Sequence, residues 1–445
     1  MPNLNIPDTN LPRVVVIGGG FAGINLIKEL KDSDHQVVLL DKHNYHTFQP
    51  LLYQVATAGL EPDSVAYPLR NIFKKHRNFY FRMAEVSRVN PARQEVYTNI
   101  GPLHYDHLVI ATGSETNYFG IDGVARDGLP MKSVPEALNL RSVILQNFEA
   151  ASLTTDLQER ERLMNYVIVG AGPTGTELAG ALAELKTHVL PHDYPDLDFR
   201  RMSIHLIEMA DKVLPPMSEF SSRNALKYLQ SMGVQVWLET AVKDYDGSMV
   251  HTNREKTLPA STLIWAAGVK GRVLEGLPEY SMEKGRYLVN ETHQIKGLER
   301  IYALGDVAAM KSEAYPQGHP MLAQVAIQQG KNLANNLKRA AKSKGLRPFR
   351  YKDLGTMATV GRNRAVAELY NRFKVKGTLG WYMWMGVHLL GLVGFRNRLV
   401  TLFNWLINYF SYDRKIRLII RPVNRLKSGE KKLGLAQQEE TIQST

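Results

Sequence analysis

The chain of 445 residues is long enough for two or three domains, and it contains no cysteine. The lack of cysteine fits a reducing compartment and excludes redox disulfides, thiolate nucleophiles and cysteine-ligated metals. The net charge of +12 lies after residue 345, where 18 Lys and Arg accompany 6 Asp and Glu among long apolar runs. This interleaving favours an anionic lipid surface as partner and argues against nucleic acid. The first residues have neither the basic nor the apolar region of a secretory signal.

The first predicted elements form a dinucleotide-binding unit. Val14–Ile17 is typical of a buried strand, and a glycine motif G-x-G-x-x-G follows it directly. The motif glycines are Gly18, Gly20 and Gly23. They permit a tight turn, close approach of a pyrophosphate and close packing of a helix over about 22–31, whose amides point at the phosphates. A second strand over 37–40 ends on Asp41, where a carboxylate accepts from a ribose hydroxyl.

The stretch after this unit leads to a second domain. An apolar strand ends on Thr112 and Gly113, small residues that permit close backbone approach to a ligand. Residues 130–162 predict charged helical structure that crosses to the next domain. His43 and His46 have a spacing compatible with a metal, but no third ligand is nearby, so we interpret them as solvated or hydrogen-bonded imidazoles.

The opening pattern then returns. A strand over 166–169 precedes a second G-x-G-x-x-G, which opens a helix over 174–186. The glycines of this second motif are Gly170, Gly172 and Gly175. The next strand, 202–207, ends on Glu208 at a longer spacing than usual, so residues 187–200 are interpreted as an insertion. His188 and His192 within it are four residues apart, but Pro191 breaks the helix between them and argues against a metal.

Two fingerprints indicate either two bound dinucleotides or a duplicated unit with one inactive copy. Both copies keep three glycines and the acid, so we interpret both as working sites. Glu208 would accept from a ribose 2′-hydroxyl and repel a 2′-phosphate, which favours NADH over NADPH.

The later elements add polar groups to these sites. A strand over 263–269 closes on small residues and returns the chain from the second domain. Another strand ends on Gly305 and Asp306, whose carboxylate either accepts from a hydroxyl of a cofactor or is an ordinary turn aspartate. A helix from 323 to about 341 carries Gln324 and Gln328 on one face. Their neutral amides suit a carbonyl-bearing ligand, and the alternative is a solvated pair.

Together the two fingerprints, the strand ends and the segment Ala323–Gln328 resemble the type II NADH dehydrogenases, single-subunit FAD-containing NADH:quinone oxidoreductases. The resemblance covers about residues 12–420. It implies an α/β fold with two Rossmann-like dinucleotide-binding domains, the second inserted in the first, plus a C-terminal amphipathic helical membrane-anchoring region. Related sulfide:quinone and disulfide reductases need cysteines and are excluded. The expected divisions are 1–125 and 286–345 for the FAD domain, 126–285 for the NADH domain, 346–432 for the membrane-associating region, and 433–445 for a disordered tail.

The resemblance also implies site residues. FAD contacts are expected at Gly18, Gly19, Gly20, Phe21, Ala22, Gly23, Asp41, Lys42, Val86, Thr112, Gly113, Gly305, Asp306, Ala323 and Gln324. NADH contacts are expected at Gly170, Gly172, Thr174, Gly175, Glu208, Ala267 and Gly268. Gln324 and Gln328 would lie beside the quinone ring, and Glu177 at the junction of the two sites. The alternative for Glu177 is stabilisation by the start of its helix. Some family members carry a lysine near the flavin, whereas the matching stretch here, 382–385, is apolar.

The C-terminal region predicts membrane attachment. Residues 379–395 are apolar almost all round but glycine-rich, and are about the shortest run that could span a bilayer. Residues 399–412 predict an amphipathic helix, followed by a basic tail over 414–432. Its apolar stripe is Leu399, Leu402, Phe403, Leu406 and Phe410, and its polar stripe is Asn397, Thr401, Asn404, Asn408 and Ser411. The alternative is a helix packed on the body or at a homodimer interface. Core chemistry is expected not to need residues beyond about 378.

These observations predict a monotopic flavoenzyme that oxidises NADH and reduces a membrane quinone without pumping ions. It would lie on the cytoplasmic face of the cell membrane, or on a matrix- or cytosol-facing inner membrane in a eukaryote. Two alternatives stay open: a flavin-dependent NAD(P)H reductase of a soluble electron carrier, and a slow redox sensor that holds FAD and NADH. No metal and no nucleic acid are expected.

Overall fold

The structure is a computed structural model that describes residues 4–370, 372–411 and 416–419. The expected disordered tail and most of the expected basic tail lie outside these residues. The helices of the described part are Phe21–Glu29, Leu52–Ala56, Pro62–Val65, Leu69–Ile72, Asp122–Asp127, Val134–Leu153, Leu157–Met164, Pro173–His188, Leu190–Asp193, Glu219–Ser231, Ala323–Ala340, Gly377–Gly391 and Phe395–Ser411.

The first domain is built on a five-stranded sheet in which neighbouring strands are all parallel. In spatial order its strands are Ile301–Ala303, His107–Ile110, Arg13–Ile17, Gln36–Asp41 and Phe79–Met83. Most of their side chains are buried, as expected for a parallel sheet covered on both faces. The helix Phe21–Glu29, here called the first-fingerprint helix, packs on this sheet together with Ala323–Ala340, the glutamine helix.

The second domain repeats the same plan. Its five parallel strands, in spatial order, are Leu129–Pro130, Thr262–Trp265, Tyr166–Val169, Ile204–Ile207 and Gln235–Trp237. Pro173–His188, the second-fingerprint helix, follows the central strand of its sheet in the same way as the first-fingerprint helix follows the central strand of the first sheet. The smaller strands are Tyr45–Thr47, Ala66–Pro68, Val86–Asn90, Glu95–Thr98, Gly101–His104, Val242–Tyr245, Met249–Thr252, Thr257–Pro259, Met282–Glu283, Arg286–Leu288 and Ala308–Ala309.

The chain path confirms that the second domain is inserted in the first. The chain leaves the first sheet after His107–Ile110 and completes that sheet only with Ile301–Ala303. Between these strands, Ser114–Thr116 on the way out pairs antiparallel with Val269–Gly271 on the way back. The predicted α/β fold with two Rossmann-like domains is therefore correct, and the exact domain boundaries stay predictions.

A three-stranded antiparallel sheet, here called the C-terminal hairpin, and two helices complete the described part of the chain. The hairpin strands are Thr356–Thr359, Ala365–Leu369 and Phe373–Lys376. They precede Gly377–Gly391, here called the tryptophan helix, and Phe395–Ser411, the surface helix. Buried residues of this region, among them Trp384 and Leu392, belong to the same apolar core as the second-fingerprint helix. The alternative of C-terminal helices packed on the body is therefore correct, whereas the expectation that the core chemistry does not need residues beyond about 378 stays a prediction.

Candidate functional site

The turn after the first strand has the backbone shape that a dinucleotide phosphate needs. Gly18 has φ +107°, and a Cβ at Gly23 would lie 2.0 Å from the carbonyl oxygen of Gly18. A Cβ at Gly20 would meet no atom within 4 Å, so the helix begins beside open space. The carboxylate of Asp41 accepts from the backbone N–H of Gly19 at 2.6 Å, which fixes the acid against the turn. This glycine turn with its acid, here called the first cradle, fits the pyrophosphate of FAD.

The second turn reproduces this geometry in the inserted domain. Gly170 has φ +99°, a Cβ at Gly175 would lie 1.9 Å from the carbonyl oxygen of Gly170, and a Cβ at Gly172 would meet nothing within 4 Å. Glu208 accepts from the backbone N–H of Ala171 at 2.7 Å, as Asp41 does in the first domain. The second turn, here called the second cradle, therefore keeps each of these features of the first, and it fits the pyrophosphate of NADH.

The predicted Gly-Asp strand end lies beside the first cradle. A Cβ at Gly305 would come within 3.3 Å of the glutamine helix and 3.6 Å of the Ala22 methyl group in the first-fingerprint helix. The carboxylate of Asp306 accepts from the Ser114 hydroxyl at 2.5 Å and lies 3.8 Å from the Lys132 ammonium. Sequence reasoning missed both partners, because neither belongs to a motif. Contact of Asp306 with a hydroxyl of a cofactor stays a prediction.

The other predicted nucleotide contacts surround the two cradles. Thr112 and Gly113 follow a strand of the first sheet, and the Thr112 hydroxyl donates to the carbonyl oxygen of Arg272 at 2.6 Å. Phe21, Ala22, Lys42, Val86 and Ala323 begin or follow elements of the first domain, and Thr174, Ala267 and Gly268 those of the second. Each group therefore lies in the domain that it was predicted to serve. Individual contacts with the nucleotides stay predictions.

His46 packs against the glycine turn of the first cradle. Its Nδ1 lies 3.0 Å from the carbonyl oxygen of Gly19, an arrangement in which Nδ1–H must donate. Burial lowers the pKa of His46 to about 4, so the ring stays neutral. The interpretation as a hydrogen-bonded imidazole is therefore correct for His46. Among the described residues, no three His, Cys, Asp or Glu side chains stand close enough to hold a metal.

Gln324 and Gln328 do share a face, as predicted, but both amides bind backbone. The Gln324 amide oxygen accepts from the N–H of Leu354 at 3.0 Å, and its nitrogen donates to the carbonyl of Gly355 at 3.1 Å. Gln328 makes the same pair of bonds to Lys352, at 3.0 and 2.8 Å. The solvated-pair alternative is therefore wrong. The two amides clamp residues 352–355 onto the glutamine helix, and contact of either with a quinone stays a prediction.

Glu177 lies buried where the inserted domain meets the C-terminal region. Its side chain is 6% exposed, and Oε1 accepts from the Trp384 indole N–H at 3.1 Å and from the backbone N–H of Thr359 at 3.4 Å. Burial raises the pKa of Glu177 to about 8, although the two hydrogen bonds oppose the shift. Burial therefore favours the protonated, neutral form of this carboxyl group.

These contacts bear on the two interpretations of Glu177. Both donors come from the C-terminal region, not from the first turn of its own helix, and the role of Glu177 stays a prediction. The apolar stretch 382–385, in which no counterpart of the flavin-side lysine of some family members could be placed, contains Trp384, which also stacks on His388 with ring centroids 4.1 Å apart. Sequence reasoning missed Trp384 because it lies inside an apolar run. Thr359 contributes only its backbone, which leaves no signal in a sequence.

The surface helix is amphipathic, but its polar stripe faces the protein. Asn397 donates to three backbone carbonyls of residues 63–66, and Asn408 donates to the carbonyl of Gly59 at 3.1 Å. On the other side, Phe403 is 60% and Phe410 is 81% exposed. The alternative of a helix packed on the body is therefore confirmed, and attachment to a membrane through the exposed apolar face stays a prediction. None of the helices in the described ranges is long and apolar enough to cross a bilayer.

Comparisons with known proteins agree with this architecture. The family model "pyridine nucleotide-disulphide oxidoreductase" matches residues 12–330, and "NDH2 C-terminal domain" matches residues 354–412. The chain is 35% identical to type II NADH:quinone oxidoreductase Ndh of Mycobacterium tuberculosis, with 90% of this chain and 89% of that protein aligned. It is 30% identical to an internal alternative NAD(P)H-ubiquinone oxidoreductase of Arabidopsis thaliana, with 92% and 86% aligned.

A solved structure supports the fold. NDH2 from Plasmodium falciparum in complex with NADH matches with a TM-score of 0.84 over 92% of this chain and 100% of that chain, at 21% identity. A sulfide:quinone oxidoreductase from Aquifex aeolicus matches less closely, with a TM-score of 0.68 at 18% identity over 95% and 94% of the two chains. The family matches span both nucleotide domains and the C-terminal region, which places this chain in the family of type II NADH:quinone oxidoreductases.

Proposed function

We propose that this chain oxidises NADH and reduces a quinone at the surface of a membrane. The observation that carries the proposal is the join at Glu177, where the second nucleotide domain meets the NDH2-type C-terminal region. The relatives named above act on NADH and on quinones, which supports the same reaction here. In the overall balance, NADH, one proton and a quinone give NAD⁺ and a quinol.

FAD, when bound in the first cradle, supplies the chemistry of accepting a hydride and passing on two electrons. The chain itself supplies position and charge. Gly18 and Asp41 hold the first cradle open for the pyrophosphate and ribose, and Gly170 and Glu208 do the same for NADH in the second. Because Glu208 is an anion, it disfavours the 2′-phosphate of NADPH.

Glu177 is proposed to hold and release a proton at Oε1. The indole of Trp384 and the amide of Thr359 fix this oxygen, and burial excludes bulk water from it. A group whose pKa is about 8 binds a proton at neutral pH and can return it during turnover. Gln324 and Gln328 then position residues 352–355 between the glutamine helix and the C-terminal hairpin, with direct quinone contact as a further proposal.

The surface helix is proposed to dock on lipid through its outward apolar face. Phe403 and Phe410 project from it, and Leu379 and Leu390 of the tryptophan helix are also more than half exposed. An anionic surface would add to this binding, since the chain's excess positive charge lies in the same region. We place this surface on the cytoplasmic side, or on an inner membrane in a eukaryote. A homodimer that covers the same face is the alternative.

Sequential mixing of the holoprotein with NADH and then with a long-chain quinone in vesicles tests the function. Fast bleaching of the flavin followed by fast recovery is the expected result. Recovery only with a soluble protein carrier would favour a carrier reductase, and slow recovery would favour a redox sensor. A potential-sensitive dye in sealed vesicles should report no ion movement coupled to turnover.

Membrane docking has its own test in vesicle flotation. Replacing Phe403 with Glu puts a charge on the outward face, and binding to anionic vesicles should fall at least tenfold, roughly 1.4 kcal/mol. The matched control is Leu153→Glu, which alters a side chain that is 85% exposed at the end of a helix outside the C-terminal region. Equal flotation of both variants would place the docking surface elsewhere, and a dimer disrupted by Phe403→Glu would support the homodimer.

A further inference from the structure

Beside Glu177 lies a cavity of about 100 Å³ that the reaction described so far does not use. The second-fingerprint helix forms one wall, through Glu177, Ala181 and Glu184. The C-terminal hairpin and the two C-terminal helices form the opposite wall. A volume of this size holds several water molecules when polar groups line it.

The two carboxyl groups share one face of their helix. Residues four and seven positions after Glu177 lie above it on the same side, and the seven-residue separation corresponds to a rise of about 10 Å. Ala181 stands between them with only a methyl group, so the cavity continues from one carboxyl to the other. Glu177 is almost completely buried and Glu184 is partly exposed, which places an inner acid and an outer acid in line.

Glu184 occupies a position that the backbone is shaped to hold. Its Oε1 accepts from the backbone N–H of Arg362 at 2.5 Å. Gly361 has φ +69°, and a Cβ there would lie 2.8 Å from the same oxygen, so a larger residue would displace the carboxyl group. Arg362 directs its guanidinium to the last turns of the surface helix, where it donates to the carbonyl of Tyr409 at 2.6 Å. The outer acid thus sits where the nucleotide domain, the hairpin and the surface helix meet.

Quinone reduction requires this kind of arrangement. Two electrons and two protons convert a quinone to a quinol, and NADH supplies only one proton equivalent with its hydride. The second proton must come from water, yet the acid proposed to hold it is almost completely buried. Building on the proposed function, we propose that Glu184 and water in this cavity form the route by which protons from solvent reach Glu177.

The other titratable and charged groups around the route are few in the described part. Arg362 contributes a positive charge at the outer end, and Tyr53 and Tyr409 contribute phenols along the wall. Behind Trp384 lies His388, and burial lowers the pKa of His388 to about 4, so it stays neutral during turnover. Among the described residues that line the cavity, Glu184 is the one carboxyl group besides Glu177.

Glu184→Gln is the decisive variant, because the amide oxygen can still accept from Arg362 while the exchangeable acid is gone. Quinone turnover should fall at least tenfold above pH 7, with a larger solvent isotope effect and partial rescue by formate. Bleaching of the flavin by NADH should stay within twofold of the parent, as should turnover with ferricyanide, which takes electrons and no proton. The matched control is Glu368→Gln, a carboxyl that accepts from the Ser218 backbone at 3.0 Å outside the cavity.

Normal quinone turnover of Glu184→Gln across pH 6–9 would overturn the proposal. A loss without formate rescue and without a change in isotope effect would also overturn it, since that pattern indicates a structural role. If the variant does not retain FAD, Ala181→Leu decides, because it fills the cavity and leaves both carboxyls in place. An unslowed quinone step in that variant would overturn the route. Failure of the unmodified holoprotein to reduce quinone would instead refute the proposed function.

Discussion

The first-fingerprint helix and the second-fingerprint helix start from turns of the same shape and then meet different neighbours. A Cβ at Gly330 of the glutamine helix would lie 2.5 Å from the carbonyl oxygen of Ala22, so the first helix is tightly packed within its own domain. The second helix carries its own close-contact glycine. A Cβ at Gly180 would lie 2.7 Å from the backbone nitrogen of Gly361 in the C-terminal hairpin.

The two fingerprint helices also differ in the charged side chains that they carry. The buried face of the first-fingerprint helix is entirely apolar or small. The second-fingerprint helix, longer by about two turns, carries Glu177 and Glu184 toward the C-terminal region. The two copies of the cradle therefore have different surroundings. The first copy packs against a closed core, and the second connects a nucleotide site to two acids and to the C-terminal region. Four experiments test this contrast.

The largest effect should come from closing each cradle in turn. Gly23→Val should abolish FAD binding, because a Cβ there would meet the carbonyl of Gly18 at 2.0 Å. Gly175→Val should leave the protein yellow and slow its bleaching by NADH at least a hundredfold, roughly 2.7 kcal/mol. Absorbance of the purified proteins and stopped-flow bleaching measure the two results. Loss of FAD in both variants would show that the two cradles are not independent.

The next effect concerns the choice of nucleotide. Glu208→Gln removes the negative charge at the ribose. The glutamine keeps only one acceptor oxygen, so one of the two backbone N–H groups that now donate to Glu208 loses its partner. The ratio of kcat/KM for NADH over NADPH should fall about tenfold, or 1.4 kcal/mol. Asp41→Asn, the equivalent change in the first cradle, should lower FAD retention and leave this ratio unchanged. An unchanged ratio in Glu208→Gln would refute the role of its charge.

The acid on the second helix predicts a pH dependence of stability. Burial raises the pKa of Glu177 from its usual 4.5 to about 8, so the folded protein keeps a proton that the unfolded chain releases. Stability should therefore decline as pH rises from about 4.5 to 8 and level off above. Glu177→Gln should remove this decline and should slow quinone turnover at least tenfold, about 1.4 kcal/mol. Parallel melting curves of both proteins between pH 5 and 9 would contradict the assignment.

The smallest effect concerns the neighbour of the first helix. Gln328→Leu removes both hydrogen bonds to Lys352, which should cost about 1–2 kcal/mol of stability in denaturant unfolding. If the amide only clamps the backbone, KM for quinone should change less than twofold. A rise of fivefold or more, with normal bleaching by NADH, would support the proposed contact between Gln328 and the quinone.

Much of the fold and of both cradles could be predicted because their signals are local. A glycine with positive φ, a buried strand and an acid at a strand end are each written in consecutive residues, and their order identifies the unit. The partners of Glu177 could not be found in this way, since one is a backbone amide and the other a tryptophan more than 200 positions away. The clamp of Gln324 and Gln328 had the same difficulty, because residues 352–355 carry no pattern of their own.

The surface helix shows a different limit of sequence reasoning. Periodicity identified two stripes on the predicted helix 399–412 but could not tell which one faces the body. Burial of apolar surface in water would turn the polar stripe outward. In this protein, the backbone carbonyls of residues 59–66 offer acceptors that Asn397 and Asn408 satisfy, so the polar stripe is the one that packs.

The surface helix contacts the body through its polar face and leaves its apolar face exposed, so the apolar face can be redesigned separately. The outward side chains Leu399, Phe403, Leu406, Ile407 and Phe410 are at least a third exposed, whereas the asparagines beneath them make the internal contacts. Exchanging the outward set for polar residues should yield a preparation that needs no detergent during purification or crystallisation. The helix would remain seated, and Trp384 with it, so the redesigned protein would keep the interior that a shortened chain would lose.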